Sequence, residues 1–187
     1  MSYCLPHIAF RRSFLAALLL GLTAFELAAA PLAPIAPIIT SAATRFTDNS
    51  NGTMTDSITG LIWLKDANCV TVSPKAWAAA LTAIATLASP SCGLSDGSTT
   101  GQWRLPSRNE LQSLIDYTTI NPALPAGHPF TGVQSRNFQS EYWSSTASTY
   151  AYAPDTRYAW LVRIHDGNVY WVSKIHDAFV WPVRGGL

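Results

Sequence analysis

The sequence predicts one domain that combines two helices with short, hairpin-paired strands. Three observations support this prediction: a helix-start pattern in residues 101–117, a loop of turn-forming residues at 48–52, and an Asp-Gly turn at 166–167 between two apolar strands. The chain has 187 residues, of which 48% are hydrophobic and 12% are charged. This composition is sufficient for a single hydrophobic core.

Residues 101–117 contain the clearest local pattern in the chain. Ser107 is suited to cap a helix by accepting a hydrogen bond from a free backbone N–H, and Glu110 can bond back to the N–H of Ser107. Pro106 holds the preceding residue in an extended conformation, so a strand is expected to lead into the helix. The helix then presents one apolar stripe to the core, formed by Leu111, Leu114 and Ile115.

Arg104 stands in the extended segment between two apolar residues, Trp103 and Leu105. Because side chains alternate along an extended chain, Arg104 should point away from the face that its two neighbours share. It should reach either solvent or a carboxylate such as Glu141 or Asp116, and we expect a structural ion pair.

A second helix is predicted over residues 75–87. Ser73 is expected to cap it, and Pro74 is expected at the first helical position, where the missing N–H of proline is not needed. The apolar face of this helix consists of Trp77, Leu81, Ile84 and Leu87.

The first predicted hairpin pairs residues 45–47 with residues 53–55, and a second turn leads from it to an apolar strand at 61–64. Four oxygen-bearing side chains of this hairpin resemble one side of a calcium loop, namely Asp48, Asn49, Asn51 and Asp56. The alternative is that these side chains bond to the backbone of their own hairpin, because no glutamate closes the loop at the distance an EF-hand needs.

The best hairpin pattern joins residues 158–164 to residues 169–174. If Asp166-Gly167 is a two-residue loop, four cross-strand pairs follow: Val162 with Trp171, Ile164 with Val169, Arg163 with Tyr170, and Ala159 with Lys174. We expect the face with Val162 and Trp171 to lie in the core and the face with Arg163 and Tyr170 to be a surface.

Two further strands and one long loop complete the domain. The strands are predicted at 141–146 and 179–184, and the second should lie at a sheet edge because Pro182 has no N–H to donate. Residues 118–140 show no periodicity, and a loop of this length inside a compact domain is usually functional or specific to its family.

Residues 1–30 are predicted to be an export signal. Arg11 and Arg12 provide its positive region, an apolar run follows at 14–24, and three alanines end it. The run is too short to span a bilayer comfortably, so no transmembrane anchor is expected. The paired arginines also fit a twin-arginine signal, and the export route therefore stays open.

Residues 31–43 are interpreted as a proline-rich linker and residues 44–187 as the domain. The protein is therefore expected in the periplasm or outside the cell.

Charge excludes one class of partner. The chain has 12 Lys and Arg and 11 Asp and Glu; removal of the signal takes away Arg11, Arg12 and Glu26, which leaves ten of each. A neutral domain is not expected to bind nucleic acid, which needs a basic surface.

Cys69 and Cys92 are the two cysteines that follow the signal. In an oxidising compartment we expect them to form a disulfide, worth about 3 kcal/mol in the chain-entropy model. The alternative is a metal or redox pair, but the spacing fits no such motif.

Five blocks occur in an order that resembles the C-terminal domain family of the Legionella collagen-like protein. They are D-N-S-N-G-T-M-T-D-S-I-T-G-L-I-W at 48–63, W-R-L-P-S-R-N-E-L-Q-S-L-I-D at 103–116, Y-W-S-S-T at 142–146, A-W-L-V-R-I-H-D-G-N-V at 159–169 and V-R-G at 183–185. The W-R-L-P-S-x-x-E block and the late strands also resemble the C-type-lectin-like and formylglycine-generating-enzyme folds. The resemblance implies an α+β, C-type-lectin-like domain with an antiparallel sheet, two helices and long loops.

The resemblance also implies a function, since the protein that gives the family its name is a secreted adhesin that binds sulfated polysaccharides. We therefore expect an exported binding domain for carbohydrate or a cell-surface partner. Sugar sites combine aromatic faces with polar groups, and sulfated sugars also need cations. Nine late residues fit these needs: Tyr150, Tyr152, Arg157, Tyr158, Arg163, His165, Tyr170, Lys174 and His176.

Two other classes of function compete with glycan binding. The first is an envelope structural or protein-interaction domain that binds no glycan. The second is an enzyme, which is not expected because the sequence contains no G-x-S-x-G, no H-E-x-x-H and no phosphate-binding glycine loop. No cofactor is expected, and calcium at the first hairpin is the one candidate.

Overall fold

The computed structural model describes residues 42–70, 73–149 and 157–185. Its helices are α1 (Ala42–Arg45), α2 (Trp77–Ala85) and α3 (Arg108–Gln112), with a 3-10 turn at Ser91–Gly93. Its strands are β1 (Phe46–Asp48), β2 (Thr53–Asp56), β3 (Leu61–Leu64), β4 (Glu141–Ala147), β5 (Tyr158–Arg163), β6 (Val169–Ser173) and β7 (Val183–Gly185). The predicted α+β class is confirmed, with two antiparallel sheets, β1-β2-β3-β7 and β4-β5-β6, in place of one.

The first sheet confirms the predicted hairpin at 45–55. β1 pairs with β2 in the register that sets Phe46 opposite Asp56. The buried side of this sheet packs around aromatic rings, and Trp63 meets Trp181 edge to face with ring centroids 5.7 Å apart. No helix within the described ranges has the length and apolar character needed to cross a membrane.

Helix α2 begins later than predicted. Its N-cap is Ala76, which provides no side-chain cap, so the assignment of Ser73 and Pro74 to the helix start is wrong. The physical reason is a long-range contact: Lys75 and Ala178 exchange two backbone hydrogen bonds of 2.9 and 3.1 Å. Lys75 is therefore held in an extended bridge and cannot enter the first helical turn.

Helix α3 confirms the predicted capping box. The Ser107 hydroxyl accepts from the N–H of Glu110 at 3.2 Å, and the Glu110 carboxylate accepts from the N–H of Ser107 at 2.7 Å. The same carboxylate pairs with both terminal nitrogens of Arg104, each at 2.8 Å. The prediction of an ion pair for Arg104 is thus right in kind, but its partner is neither Glu141 nor Asp116. The capping box itself turns Glu110 back towards Arg104.

The register of the β5–β6 hairpin differs from the prediction by two residues. Val162 lies opposite Val169 and Trp160 opposite Trp171. A four-residue turn replaces the predicted two-residue loop, because the backbone of Ile164 bonds outside the hairpin. The Ile164 N–H donates to the Ser140 carbonyl at 2.9 Å, and the Ile164 carbonyl accepts from the Ala123 N–H at 2.8 Å.

This register changes which residues are buried. Tyr170 lies opposite Leu161 instead of Arg163, and Ala159 lies opposite Val172 instead of Lys174. Trp171 remains 37% exposed and does not enter the core, whereas Ala159 and Leu161 on the other face are fully buried. Val162 and Ile164 are fully buried as predicted, but core residues lie on both faces of the hairpin, so the assignment of Trp171 to the core and of the Ala159 face to the surface is wrong.

The end of the chain forms a shorter strand than predicted. Residues before Pro182 make only single bridges, from Ala178 to Lys75 and from Phe179 to Tyr142, and β7 starts at Val183. β7 is the last strand in the order β1-β2-β3-β7, the edge position that Pro182 predicts, although its outer side is bridged to Arg104 at Val183.

The disulfide between Cys69 and Cys92 is confirmed, with Cα atoms 5.6 Å apart. It joins the segment after β3 to the 3-10 turn at Ser91–Gly93. The loop that follows α2 is thereby fixed against the first sheet.

Gly167 in the β5–β6 turn gives a direct test of the hairpin geometry. Its φ is +76°, and an added Cβ would lie 2.6 Å from Cγ2 of Ile115, whereas Gly127 has a φ of +75° with nothing within 4 Å of such an atom. We expect Gly127→Ala to lower the free energy of unfolding by about 1 kcal/mol, the cost of the left-handed backbone. Gly167→Ala should cost more than about 2 kcal/mol, because steric overlap is added to that cost.

Urea denaturation of the two variants and the parent protein measures both values. Equal losses for Gly127→Ala and Gly167→Ala would contradict the contact between this turn and Ile115.

Candidate ligand-binding surfaces

The second sheet distributes the predicted binding residues over two faces. Side chains alternate along a strand, so Arg163 and Tyr170 lie on one face of the β5–β6 pair and Tyr158 lies on the other. Tyr150 and Tyr152 fall outside the described residues. The predicted residues that the structure describes therefore do not form a single cluster.

On the first face, a buried carboxylate gathers two of the predicted residues. The Tyr170 hydroxyl donates to Glu141 Oε1, and His176 Nε2 lies 2.6 Å from Glu141 Oε2. Glu141 is only 8% exposed. Burial, together with the hydrogen bond to this carboxylate, raises the pKa of Tyr170 well above its ordinary value.

Arg163 and His165 also support the structure of this face. The Arg163 guanidinium forms two hydrogen bonds with the Asp166 carboxylate, of 2.8 and 2.6 Å, and these hold the pKa of Asp166 below its usual range. His165 Nδ1 lies 2.7 Å from the Ser135 carbonyl oxygen. The Phe138 ring contacts both residues. Its centre lies 4.8 Å from the Arg163 guanidinium and 5.2 Å from the centre of the His165 ring.

Lys174 lies apart from both groups. Its ammonium is 4.0 Å from the centre of the Trp77 ring, and its backbone N–H donates to the Arg157 carbonyl at 2.7 Å. It therefore packs against α2 and does not extend the Glu141 cluster.

The opposite face carries an arrangement that the sequence did not reveal. We call it the aromatic–arginine face and define it by Arg108, Tyr158, Trp160 and Trp171. Trp160 and Trp171 are directly opposed on β5 and β6, and the Tyr158 ring meets the Trp171 ring edge to face at 5.1 Å. The Arg108 guanidinium from α3 lies 4.8 Å from the centre of the Trp160 ring. Exposed Arg157 immediately precedes Tyr158.

Of the four residues that define this face, only Tyr158 was predicted from the sequence, together with its neighbour Arg157; Arg108, Trp160 and Trp171 were missed. Trp171 was assigned to the core because of the shifted register, and Trp160 was passed over as an ordinary strand residue. Arg108 lies far from both in sequence. The alternation of aromatic residues at 158, 160 and 171 is the signal that would have indicated the face.

An exposed apolar patch surrounds the β5–β6 turn. The turn patch consists of Tyr117, Ile120 and Phe138, which are 65%, 67% and 65% exposed. Phe138 contacts His165, Tyr117 lies beside Gly167, and Asn121, next to Ile120, donates its N–H to the His165 carbonyl at 2.8 Å. The long loop at 118–140 thus contributes two of the three residues.

The four residues proposed for calcium all hydrogen-bond within or beside their hairpin. Asp48 pairs with Lys65 and Asp56 with Arg45, while Asn49 donates to Thr53 and Thr55 and Asn51 accepts from Thr53. Across the described residues, no three His, Cys, Asp or Glu side chains are grouped so as to hold a metal ion. Calcium binding here stays a prediction.

The family of the chain follows from its fold and from a comparison with protein-family models. Its fold is that of an α+β domain with two antiparallel sheets. The family model of the Lcl C-terminal domain matches residues 52–184, so the chain belongs to that family, as its ordered sequence blocks predicted. A comparison with curated proteins finds no significant match.

The Glu141 cluster predicts a specific dependence of stability on pH. Tyr170→Phe removes a hydrogen bond to a charged group and should lower the free energy of unfolding by about 2 kcal/mol at neutral pH. Because the folded pKa of Tyr170 is raised, the stabilisation is present below the unfolded value of about 10 and is lost as the pH rises through the folded pKa. The difference between parent and variant should therefore shrink above pH 10.

Tyr117→Phe is the matched control, since its exposed hydroxyl accepts only from Gln112 Nε2 at 3.0 Å among the described residues. Its effect should stay within about 0.5 kcal/mol. Denaturation of all three proteins between pH 7 and pH 12 supplies the values, and a Tyr170→Phe difference that does not change with pH would argue against the cluster.

Proposed function

We propose that this chain is an exported, non-enzymatic binding domain whose aromatic–arginine face recognises sulfated polysaccharide. The observation that carries the proposal is the guanidinium of Arg108 lying against Trp160, beside the partly exposed ring of Trp171. The face of an aromatic ring packs on the C–H surface of a sugar ring, and a guanidinium pairs with sulfate through charge-assisted hydrogen bonds. The aromatic–arginine face provides the aromatic ring and the guanidinium on the same side of the β5–β6 strand pair.

The charge of Arg108 supports an anionic ligand. Four other arginines are neutralised by carboxylates: Arg45 by Asp56, Arg104 by Glu110, Arg163 by Asp166 and Arg184 by Asp96. Among the described residues, Arg108 has a neutral partner, the Asn109 amide oxygen at 3.3 Å, and no carboxylate. Arg163, one of the cations that the sequence predicted for a sulfated ligand, is a weaker candidate because Asp166 cancels its charge.

Two features support export. Residues 1–30 have the composition of an export signal, and the Cys69–Cys92 disulfide is typical of oxidising compartments. The family resemblance points in the same direction.

The second candidate function is protein interaction at the cell envelope, favoured by the turn patch. Three large apolar side chains exposed around one turn are unusual for a surface with no partner. The two candidates use different faces of the domain, and substitutions therefore separate them.

Dextran sulfate and unsulfated dextran are suitable probes for surface plasmon resonance on the purified protein. We expect binding to dextran sulfate alone, weakened about tenfold by Arg108→Gln because a charge-assisted hydrogen bond is lost. Trp171→Ala should weaken binding to a similar extent by removing a stacking surface. Arg136→Gln is the charge-matched control, since Arg136 is exposed and pairs with no described carboxylate.

Equal losses for Arg108→Gln and Arg136→Gln would contradict a specific site. Binding of the protein to both dextrans, or to neither, would contradict recognition of sulfate. Loss of attachment to bacterial envelopes on Phe138→Ser, with Arg108→Gln unaffected, would favour the protein-interaction function.

A further inference from the structure

A polar cleft of about 440 Å³ lies beside the first sheet and shares no residue with the aromatic–arginine face. Four separate segments form it: the β1–β2 loop, the segment after β3, the disulfide-bonded turn at Cys92–Gly93, and Thr131 from the long loop. Its volume falls within the range of small-molecule sites.

The walls of the cleft are fixed by backbone contacts between these segments. Thr131 donates its N–H to the Lys65 carbonyl at 2.9 Å, and its own carbonyl accepts from the Ala67 N–H at 2.8 Å. Gly52, with a φ of +85°, lies so close to Gly93 that an added Cβ would be 2.6 Å from the Gly93 carbonyl oxygen. The Cys69–Cys92 disulfide holds the same turn in place. The cleft is therefore preformed, and a ligand need not order its walls.

The side chains of the cleft place hydrogen-bond donors beside acceptors. Lys65 Nζ donates one hydrogen to Asp48 Oδ2 at 2.6 Å and keeps two more for other acceptors. Asp66 Oδ1 accepts from the Asn68 N–H at 2.9 Å, while its Oδ2 forms no hydrogen bond with a described residue. Ser50 and Thr131 also line the cleft, and the Thr131 hydroxyl lies 3.5 Å from the Lys65 carbonyl oxygen.

These groups select against charged ligands. Two carboxylates oppose an anion. A metal ion would find only these two carboxylates, one of them already paired with Lys65, and no three His, Cys, Asp or Glu side chains of the described residues are grouped to hold one. A hydroxyl group both donates and accepts, so neighbouring hydroxyls on one molecule can satisfy Asp66 and Lys65 together. Neutral molecules with several adjacent hydroxyls meet this requirement best.

We propose that this cleft binds a neutral sugar residue, with Asp66 accepting from one hydroxyl, Lys65 donating to a neighbouring one, and Thr131 and Ser50 completing the contacts. The site is independent of the proposed sulfated-polysaccharide function, since it uses another part of the domain and another ligand charge. Without an aromatic ring in its lining, its affinity for a monosaccharide should be weak.

Amide chemical shifts of the ¹⁵N-labelled protein provide the test. Glucose, mannose and N-acetylglucosamine are titrated separately to about 50 mM, a concentration that detects millimolar affinity. At least one of them should shift the amides of Ser50, Gly93 and Thr131 and saturate. Calcium chloride and sodium sulfate are titrated in parallel to identify a cation or anion site.

Two variants and one control test the assignment of contacts. Thr131→Val keeps the shape of the side chain and removes its hydroxyl, and Lys65→Met keeps the length and removes the charge. Each should raise the dissociation constant about fivefold or more. Lys75→Met, which removes a lysine outside the cleft, should leave it unchanged. The spectrum of each variant shows whether the fold is retained.

The proposal is overturned if no neutral sugar shifts the cleft amides, if a sugar shifts only amides elsewhere, or if calcium or sulfate alone shifts them. Unchanged affinity in both Thr131→Val and Lys65→Met overturns it as well. Binding of dextran sulfate is measured separately, so failure of either proposal is recognised independently.

Discussion

The carboxylate of Glu110 joins the start of α3, which lies against the second sheet, to the Arg104 segment, which is bridged to the first sheet. It accepts hydrogen bonds from the Ser107 N–H and from both terminal nitrogens of Arg104. Arg104 in turn exchanges two 3.0 Å backbone hydrogen bonds with Val183 and also donates to the Gly185 carbonyl. The ion pair with Arg104 holds the pKa of Glu110 below its usual range, so this stabilisation is present at neutral pH and is lost as the pH falls through that lowered pKa.

The same segment also positions the proposed binding face. Directly after the cap, the Arg108 N–H donates to Thr146 Oγ1 on β4 at 3.0 Å, and the Pro106 carbonyl accepts from the Ser145 N–H at 2.8 Å. These bonds set the start of α3 against the second sheet, and the Arg108 guanidinium consequently reaches Trp160 on β5. A helix start that reads from sequence as part of the scaffold therefore also places a cation for recognition.

The sequence distance between interacting residues decides which parts of the fold and of the binding face could be predicted. The capping box links residues three positions apart, and the β1–β2 hairpin depends on its own loop, so both were predicted. The start of α2 and the β5–β6 register depend on Ala178, Ser140 and Ala123, which meet their partners only in the folded chain. The exposure of Trp171, and with it the aromatic–arginine face, follows from that register and was missed for the same reason.

A double-mutant cycle with Arg104→Gln and Glu110→Gln tests the role of the Glu110 carboxylate most directly. Glutamine at position 110 can still bond to the Ser107 N–H, so the cycle isolates the ion pair from the cap. We predict a coupling energy of about 1 kcal/mol in urea denaturation, after allowance for solvent screening at half-exposed Arg104. The cycle for Lys65 and Asp48, an ion pair that is more exposed at Asp48, should give a clearly smaller value. A coupling for Arg104 and Glu110 no larger than that of the Lys65–Asp48 pair would contradict the account.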